Sequence, residues 1–208
     1  KMIKDGLRKK ELPEGIVCMI NGDREVGEWL TSDKRVPLIS ATGSIRMGKQ
    51  VAQVVAARLG KTLLELGGNN AIIISPEADV EMAVRATVFG AVGTCGQRCT
   101  STRRLIVHDS IFDKVKDRLV AIYKNIKIGS PLKDGTLVGP LIDTMAVDDM
   151  QNALKELKKS GGEVVYGGEV LEGEEYASGT YVRPAICIAE NHYQIVQDET
   201  FAPILYLI

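Results

Sequence analysis

Over its opening 75 residues the chain alternates short apolar runs with segments of helical period, and this rhythm restricts the fold more than any other feature. Consecutive strand–helix–strand units predict parallel strands with helices on the faces of the sheet, an α/β fold. Residues 16–20, 36–40, 63–66 and 71–75 read as strands, and residues 1–10, 24–31 and 47–59 as helices. Asn21-Gly22-Asp23 turns into one helix and Thr42-Gly43-Ser44 precedes another, which Gly60 closes.

The rhythm changes at Gly67-Gly68, which places a domain boundary there, dividing residues 1–66 from residues 67–208. Beyond it, Pro76 opens a helix over 78–91 with Val80, Ala83, Val84 and Val88 on one face. Ser110 is the expected cap of an amphipathic helix that buries Ile111, Phe112, Val115, Leu119, Ile122 and Ile126. A further helix over 143–159 stops at Gly161-Gly162, and residues 105–108, 164–165, 181–189 and 204–208 read as strands. The chain opens inside the first helix and closes on the apolar run 204–208 with no turn after it. Both ends therefore read as internal to a longer protein, with the last strand left without neighbours.

Charge excludes some partners. The 26 basic and 27 acidic residues are mixed and leave a net charge of −1, so nucleic acid is not expected. No apolar stretch is long enough to span a bilayer. Cys18, Cys95, Cys99 and Cys187 match no disulfide framework, which predicts a reducing, cytoplasmic setting, with a targeting segment upstream of Lys1 left open. Cys95 and Cys99 alone do not make a metal site, and none is expected.

Two motifs carry chemistry. In Gly93-Thr94-Cys95-Gly96-Gln97-Arg98-Cys99-Thr100 a cysteine follows a helix, in a loop with two glycines that permit close backbone approach. Arg98 beside Cys99 favours the reactive thiolate, although a free cysteine is also a common buried filler. In Leu64-Glu65-Leu66-Gly67-Gly68-Asn69-Asn70 a carboxylate stands between two leucines. Apolar surroundings there would raise its pKa toward the range of a general base; a surface glutamate at a strand end is the plainer reading.

Together these segments resemble the aldehyde dehydrogenase superfamily along essentially the whole chain. Leu-Glu-Leu-Gly-Gly-Asn around Glu65 is similar to the family's glutamate motif, Gly-Gln-Arg-Cys to its cysteine motif, and Glu199-Thr200-Phe201-Ala202-Pro203 to its later Glu-x-Phe-x-Pro motif. Gly129-Ser130-Pro131, Gly139-Pro140 and Gly179-Thr180-Tyr181 are supporting landmarks. Within the superfamily, Asn69-Asn70-Ala71-Ile72-Ile73, Arg98 and Arg103-Arg104 resemble the antiquitin group, which oxidises α-aminoadipic semialdehyde, in equilibrium with piperideine-6-carboxylate.

The resemblance implies part of a Rossmann-like cofactor-binding domain (1–66) followed by most of an α/β catalytic domain (67–208). It implies that Cys99 attacks a small-molecule aldehyde to give a thiohemiacetal and then a thioester, and that Glu65 activates water to release the acid. The Cys99 N–H would share the oxyanion with an asparagine upstream of Lys1. Gly43, Ser44, Leu66, Gly67, Glu199 and Phe201 match cofactor-binding positions for NAD, with NADP left open. Arg98 has two readings: it lowers the thiol pKa, or it binds the substrate's distal carboxylate. The family also implies a homodimer or homotetramer, and an inactive piece when these residues stand alone. Four alternatives stand beside this: a CoA-acylating branch, another semialdehyde dehydrogenase, a non-catalytic structural relative, and a Cys–His hydrolase using His108 or His192.

Overall fold

A computed structural model describes residues 2–13 and 15–208, and the chain forms an α/β fold of two compact units, Lys1–Leu66 and Gly67–Ile208. In the first unit, α1 (Met2–Lys9) covers the expected opening helix, whose Lys1 lies outside the described residues. Residues 16–20 form no strand, contrary to the sequence expectation. Ile16, Met19 and Ile20 are exposed, and no strand pairs with them among the described residues. Without a hydrogen-bonded neighbour, an apolar run gains nothing from extended pairing.

The Asp23 carboxylate accepts from the Glu25 N–H and starts α2 (Arg24–Ser32). Strand β1 (Leu38–Gly43) begins two residues later than the apolar pattern suggests and pairs in parallel with β2 (Lys61–Leu66), Gly43 opposite Leu66. Between them runs α3 (Ile45–Ala57), capped by Ser44 Oγ, which accepts from the Met47 N–H at 3.1 Å. Gly48 lets α3 approach β2: a Cβ there would lie 2.4 Å from Leu66 Cδ2. The helix ends before Gly60. Leu59 takes the left-handed turn at φ 59, and Gly60 instead avoids Val55 and Arg58, which a Cβ would meet at 2.8 Å.

The second unit holds a five-stranded sheet and the main core. Strands β3 (Asn70–Ile74), β4 (Thr102–Val107), β5 (Glu163–Tyr166), β6 (Ala185–Ile188) and β7 (Ile204–Leu207) lie in the order β3-β4-β7-β6-β5. All neighbours are parallel except the β5–β6 pair. Strand β7 is thus flanked on both sides and buried along its length, contrary to the expectation that 204–208 lacks neighbours. Its continuous apolar run is what a strand covered on both faces requires. β6 is shorter than the apolar run 181–189 because Pro184, which has no N–H, precedes its first ladder residue.

Helices α4 (Val80–Val92), α5 (Phe112–Tyr123), α6 (Thr144–Lys159) and the short α7 (Gln194–Gln197) complete the unit. Pro76 does not open α4. It sits in a turn closed by Ala78 N–H to Ser75 O, and Asp79 caps the helix through the Met82 N–H. Ser110 does not cap α5 either. It lies in a 3-10 turn, where its N–H donates to His108 Nδ1 and no side chain caps the helix. Asp143 caps α6 through the Ala146 N–H. Val84, Leu105, Val115, Leu119, Met150, Ile186 and Leu205 form the core between helices and sheet. Among the described residues no helix is long and apolar enough to cross a membrane.

Candidate active site

The Cys99 loop leaves α4 through a 3-10 turn, Gly93–Gly96. Thr94 and Cys95 both adopt φ 54, which costs a residue with a Cβ roughly 1 kcal/mol or more. Gly96 follows at φ +67, where a Cβ would lie 2.5 Å from the Ala202 carbonyl oxygen. These left-handed residues turn the loop against residues 202–203. The turn separates the two loop cysteines: Cys95 is buried, its thiol pushed up to about 12 by desolvation, while Cys99 is exposed. All four cysteines are free.

The Cys99 backbone is held from one side. Asn70 Nδ2 donates to the Cys99 carbonyl at 2.7 Å and to the Ser101 carbonyl at 3.0 Å. The Ser101 N–H donates to Arg98 O, and the Arg98 N–H to Ser101 Oγ. Gln97 ties the loop to residues 140–142, its Oε1 accepting from the Ile142 N–H at 2.9 Å. The N–H of Cys99 has no acceptor among the described residues. Arg98 is exposed. Its Nε donates to Thr94 Oγ1 at 2.8 Å, and its guanidinium lies 5.5 Å above the Phe89 ring. Among the described residues it has no carboxylate partner.

Arg103 lies beneath this loop, only 2% exposed. It donates to the carbonyls of Ala202 (3.1 Å), Gly96 (3.0 Å) and Arg98 (3.3 Å), and reaches Glu199 Oε1 at 3.4 Å. Its guanidinium also stacks over Phe201, 5.5 Å from the ring centroid. Burial pushes its pKa down, and the Glu199 carboxylate opposes that shift. The other Glu199 oxygen closes over Gly67, so near that a Cβ there would stand 1.8 Å from Oε2. Asn69 and Arg104 fix the approach to Glu199: Asn69 Nδ2 donates to Val196 O and Asp198 O, and Arg104 Nε to Asn69 O. The structure therefore brings Gly67, Arg98, Cys99, Glu199 and Phe201 onto one connected frame within the second unit.

The remaining expected site residues belong to the first unit. Glu65 lies on β2 opposite Thr42 and is exposed within that unit, not enclosed by apolar groups as its leucine neighbours suggest. The reason is the strand's period of two: Leu64 and Leu66 are half-buried, Leu66 lying over Gly48 of α3, and Glu65 takes the other face. Gly43 ends β1 and Ser44 caps α3, whose first amides, at Ile45 and Arg46, have no acceptor within the helix. Beside them α2, β1 and α3 enclose a groove of about 1060 Å³, lined by Leu30, Val36, Ser40, Ser44, Met47 and Val51 among others.

The two histidines are engaged elsewhere. His108 Nδ1 lies 2.9 Å from Ser110 Oγ, and the His192 ring packs edge-on to Tyr193. Sequence reasoning missed the work of Asn70, Gln97 and Arg103, and it missed the groove. One signal was available for Arg103: an arginine pair opening an otherwise apolar strand has to find acceptors.

The comparisons with known proteins agree with this architecture. The sequence model of the aldehyde dehydrogenase family matches residues 2–208. Aldehyde dehydrogenase family 7 member B4 of Arabidopsis thaliana is 45% identical over 208 residues, 100% of this chain and 40% of that protein. The α-aminoadipic semialdehyde dehydrogenase of Bos taurus is 46% identical over 208 residues, 100% of this chain and 38% of that protein. The chain thus spans about two fifths of the length of these relatives. Betaine aldehyde dehydrogenase from Staphylococcus aureus, solved in complex with NAD+, superposes at TM-score 0.94 with 29% identity, over 100% of this chain and 42% of that one. HpcC from Thermus thermophilus superposes at 0.93 with 32% identity, over 100% of this chain and 41% of that one. The match over residues 2–208 shows that this chain belongs to the aldehyde dehydrogenase family.

Proposed function

We propose that the full-length protein oxidises an aldehyde to a carboxylic acid with NAD as the acceptor, and that its substrate is α-aminoadipic semialdehyde, as in the antiquitin group. The observation that carries this reading is the Cys99 loop: an exposed thiol, a backbone carbonyl tied by Asn70, and an N–H without an internal acceptor among the described residues. Such an N–H suits the oxygen of a tetrahedral adduct on the cysteine. In this reading residues 1–66 are part of the cofactor-binding domain and residues 67–208 most of the catalytic domain.

The Cys99 sulfur attacks the carbonyl carbon and forms a thiohemiacetal, which becomes a thioester on oxidation. NAD, when bound, supplies the hydride acceptor for that oxidation. Glu65 takes a proton from the water that hydrolyses the thioester. The chain's residues fit a dinucleotide: the α2–β1–α3 groove is large enough for a nucleoside, and the amides of Ile45 and Arg46 suit a phosphate. Gly43, Ser44, Leu66 and Gly67 would line its path, and Glu199 beside Phe201 would hold the nicotinamide ribose. Arg98, without a carboxylate of its own among the described residues, would take the distal carboxylate of the substrate.

The test is to incubate the full-length protein with α-aminoadipic semialdehyde and NAD or NADP, with and without CoA, and to identify the product. Free acid with reduced NAD is expected. Acyl-CoA as the main product would assign the CoA-acylating branch, and no aldehyde-dependent reduction of either cofactor would refute the enzymatic reading.

A further inference from the structure

We propose that Arg103 is a positioning residue for this reaction, one guanidinium that sets both the Cys99 loop and the Glu199 carboxylate. The inference rests on the dehydrogenase reading and extends it to a residue that touches neither thiol nor substrate. Its basis is the distribution of the bonds. Two acceptors, Gly96 O and Arg98 O, belong to the loop that carries Cys99. The other two, Ala202 O and Glu199 Oε1, belong to the segment entering β7, where Phe201 lies under the same guanidinium. The side chain is 2% exposed and Glu199 only 13%, so water cannot replace these bonds freely.

The geometry asks for arginine specifically. One arm of the fork, Nη2, faces Gly96 O, Arg98 O and Glu199 Oε1 while the other, Nη1, holds Ala202 O, whereas a lysine ammonium is a single point donor that has to give up one of these two positions. Glu199 Oε1 faces Arg103 and Oε2 packs against Gly67 without a hydrogen bond among the described residues, so Arg103 is the group that fixes the carboxylate. A shift of the guanidinium therefore moves the carboxylate and the sulfur together. If the reaction holds sulfur and cofactor in one register, Arg103 is the side chain that links the two.

The experiment uses the full-length enzyme and the variants Arg103→Lys, Glu199→Gln and Arg103→Lys/Glu199→Gln. Arg103→Lys keeps the charge and approximate length and is the variant best able to fold; circular dichroism and the melting temperature check that it does. NAD affinity is measured by titration calorimetry, and the single-turnover rate of NADH formation by stopped flow. Arg103→Lys should weaken NAD binding about tenfold through lost charge-assisted bonds. It should slow the single turnover on the order of 100-fold, the scale set by a misplacement of about 1 Å. In the Glu199→Gln background the same substitution should leave NAD affinity nearly unchanged but still slow the single turnover, because the bonds to Gly96 and Arg98 do not run through Glu199. A residue with a merely structural role would lower the melting temperature without that split. A folded Arg103→Lys enzyme with wild-type NAD affinity and single-turnover rate would overturn this proposal alone. A wild-type enzyme that reduces no NAD with aldehyde would overturn it together with the functional reading.

Discussion

Replacing Gly67 with alanine tests the site without touching a reactive group. The new Cβ would lie 1.8 Å from Glu199 Oε2 and must be at least 3.0 Å away, so the carboxylate has to retreat by about 1 Å. Gly67 is not in the left-handed region, and what the methyl meets is the end of a flexible side chain, so the fold can absorb the change. The cost falls on Glu199, whose bond to Arg103 is already long at 3.4 Å. A bond to a charged group contributes about 1.5–3 kcal/mol, which predicts NAD binding weakened roughly tenfold to a hundredfold. Gly96→Ala is the contrasting case. There φ is +67 and the methyl meets Ala202 and Pro203 backbone, which cannot swing aside. Left-handed strain of about 1 kcal/mol plus overpacking of about 1–3 kcal/mol should lower the melting temperature by several degrees. Titration calorimetry with NAD and a thermal melt of each full-length variant read the two effects. If Gly67→Ala binds NAD like the wild type, the assignment of Glu199 to the cofactor is wrong; if it melts as low as Gly96→Ala, the fold does not absorb the methyl as argued.

Limiting iodoacetamide at about pH 8 should label Cys99 ahead of the other exposed thiol, Cys18, and leave Cys95 and Cys187 untouched, since burial pushes both of those thiols up to about 12; peptide mapping checks this, and labelling of Cys18 or Cys187 with Cys99 untouched would refute it. Glu65→Gln should keep a pre-steady-state burst of NADH while turnover falls, because the base acts on the thioester, whereas Cys99→Ala should abolish the burst; loss of the burst in Glu65→Gln would give Glu65 an earlier role. The buried thiols also predict an alkaline loss of stability. Their folded pKa values lie above the ordinary thiol value of 9.0, so their contribution is whole below about pH 9 and is lost as pH rises toward about 12. Urea unfolding at about pH 8 and about pH 10.5 measures the slope, which Cys187→Ala should flatten.

The alternation of apolar runs and helical segments made the α/β class legible, because period and length are local properties of a sequence. Pairing is not local, and that is where the reading failed. Residues 16–20 are as apolar as a strand but have no partner among the described residues, and 204–208 looked like a loose end yet lie between β4 and β6. Helix starts went astray where a neighbouring side chain bonds the backbone instead: Asp79, three residues past Pro76, accepts from the Met82 N–H, and His108 accepts from the Ser110 N–H in a 3-10 turn ahead of α5. In the site, the Cys99 loop and the Glu65 and Glu199 motifs could be seen as motifs. The burial of Arg103 could not, because a charge becomes a buried hub only once the acceptors around it are known.

The sheet explains why this site needs so many donors. Strands β3, β4 and β7 are adjacent and parallel, so the segments entering them meet at one edge, the amino-terminal edge. Asn69-Asn70 lies at the entry to β3, the Cys99 loop enters β4, and residues 199–203 enter β7. These entering segments are irregular, and their carbonyls lack ladder partners. Four side chains supply the missing donors. Asn70 takes Cys99 O and Ser101 O; Arg103 takes Gly96 O, Arg98 O and Ala202 O; Asn69 takes Val196 O and Asp198 O; Arg104 takes Asn69 O. The Asn-Asn and Arg-Arg pairs are therefore one device in two halves, each opening a strand. Asn70, Arg103 through Ala202 O and Arg104 bond the segment that enters the adjacent strand, Arg103 also holds the loop entering its own strand, and Asn69 reaches across to the segment before β7. Aspartate or glutamate at these positions would bring acceptors where acceptors are already in excess. The donor-rich dipeptides allow a backbone this irregular to remain ordered at the sheet edge where Cys99 stands.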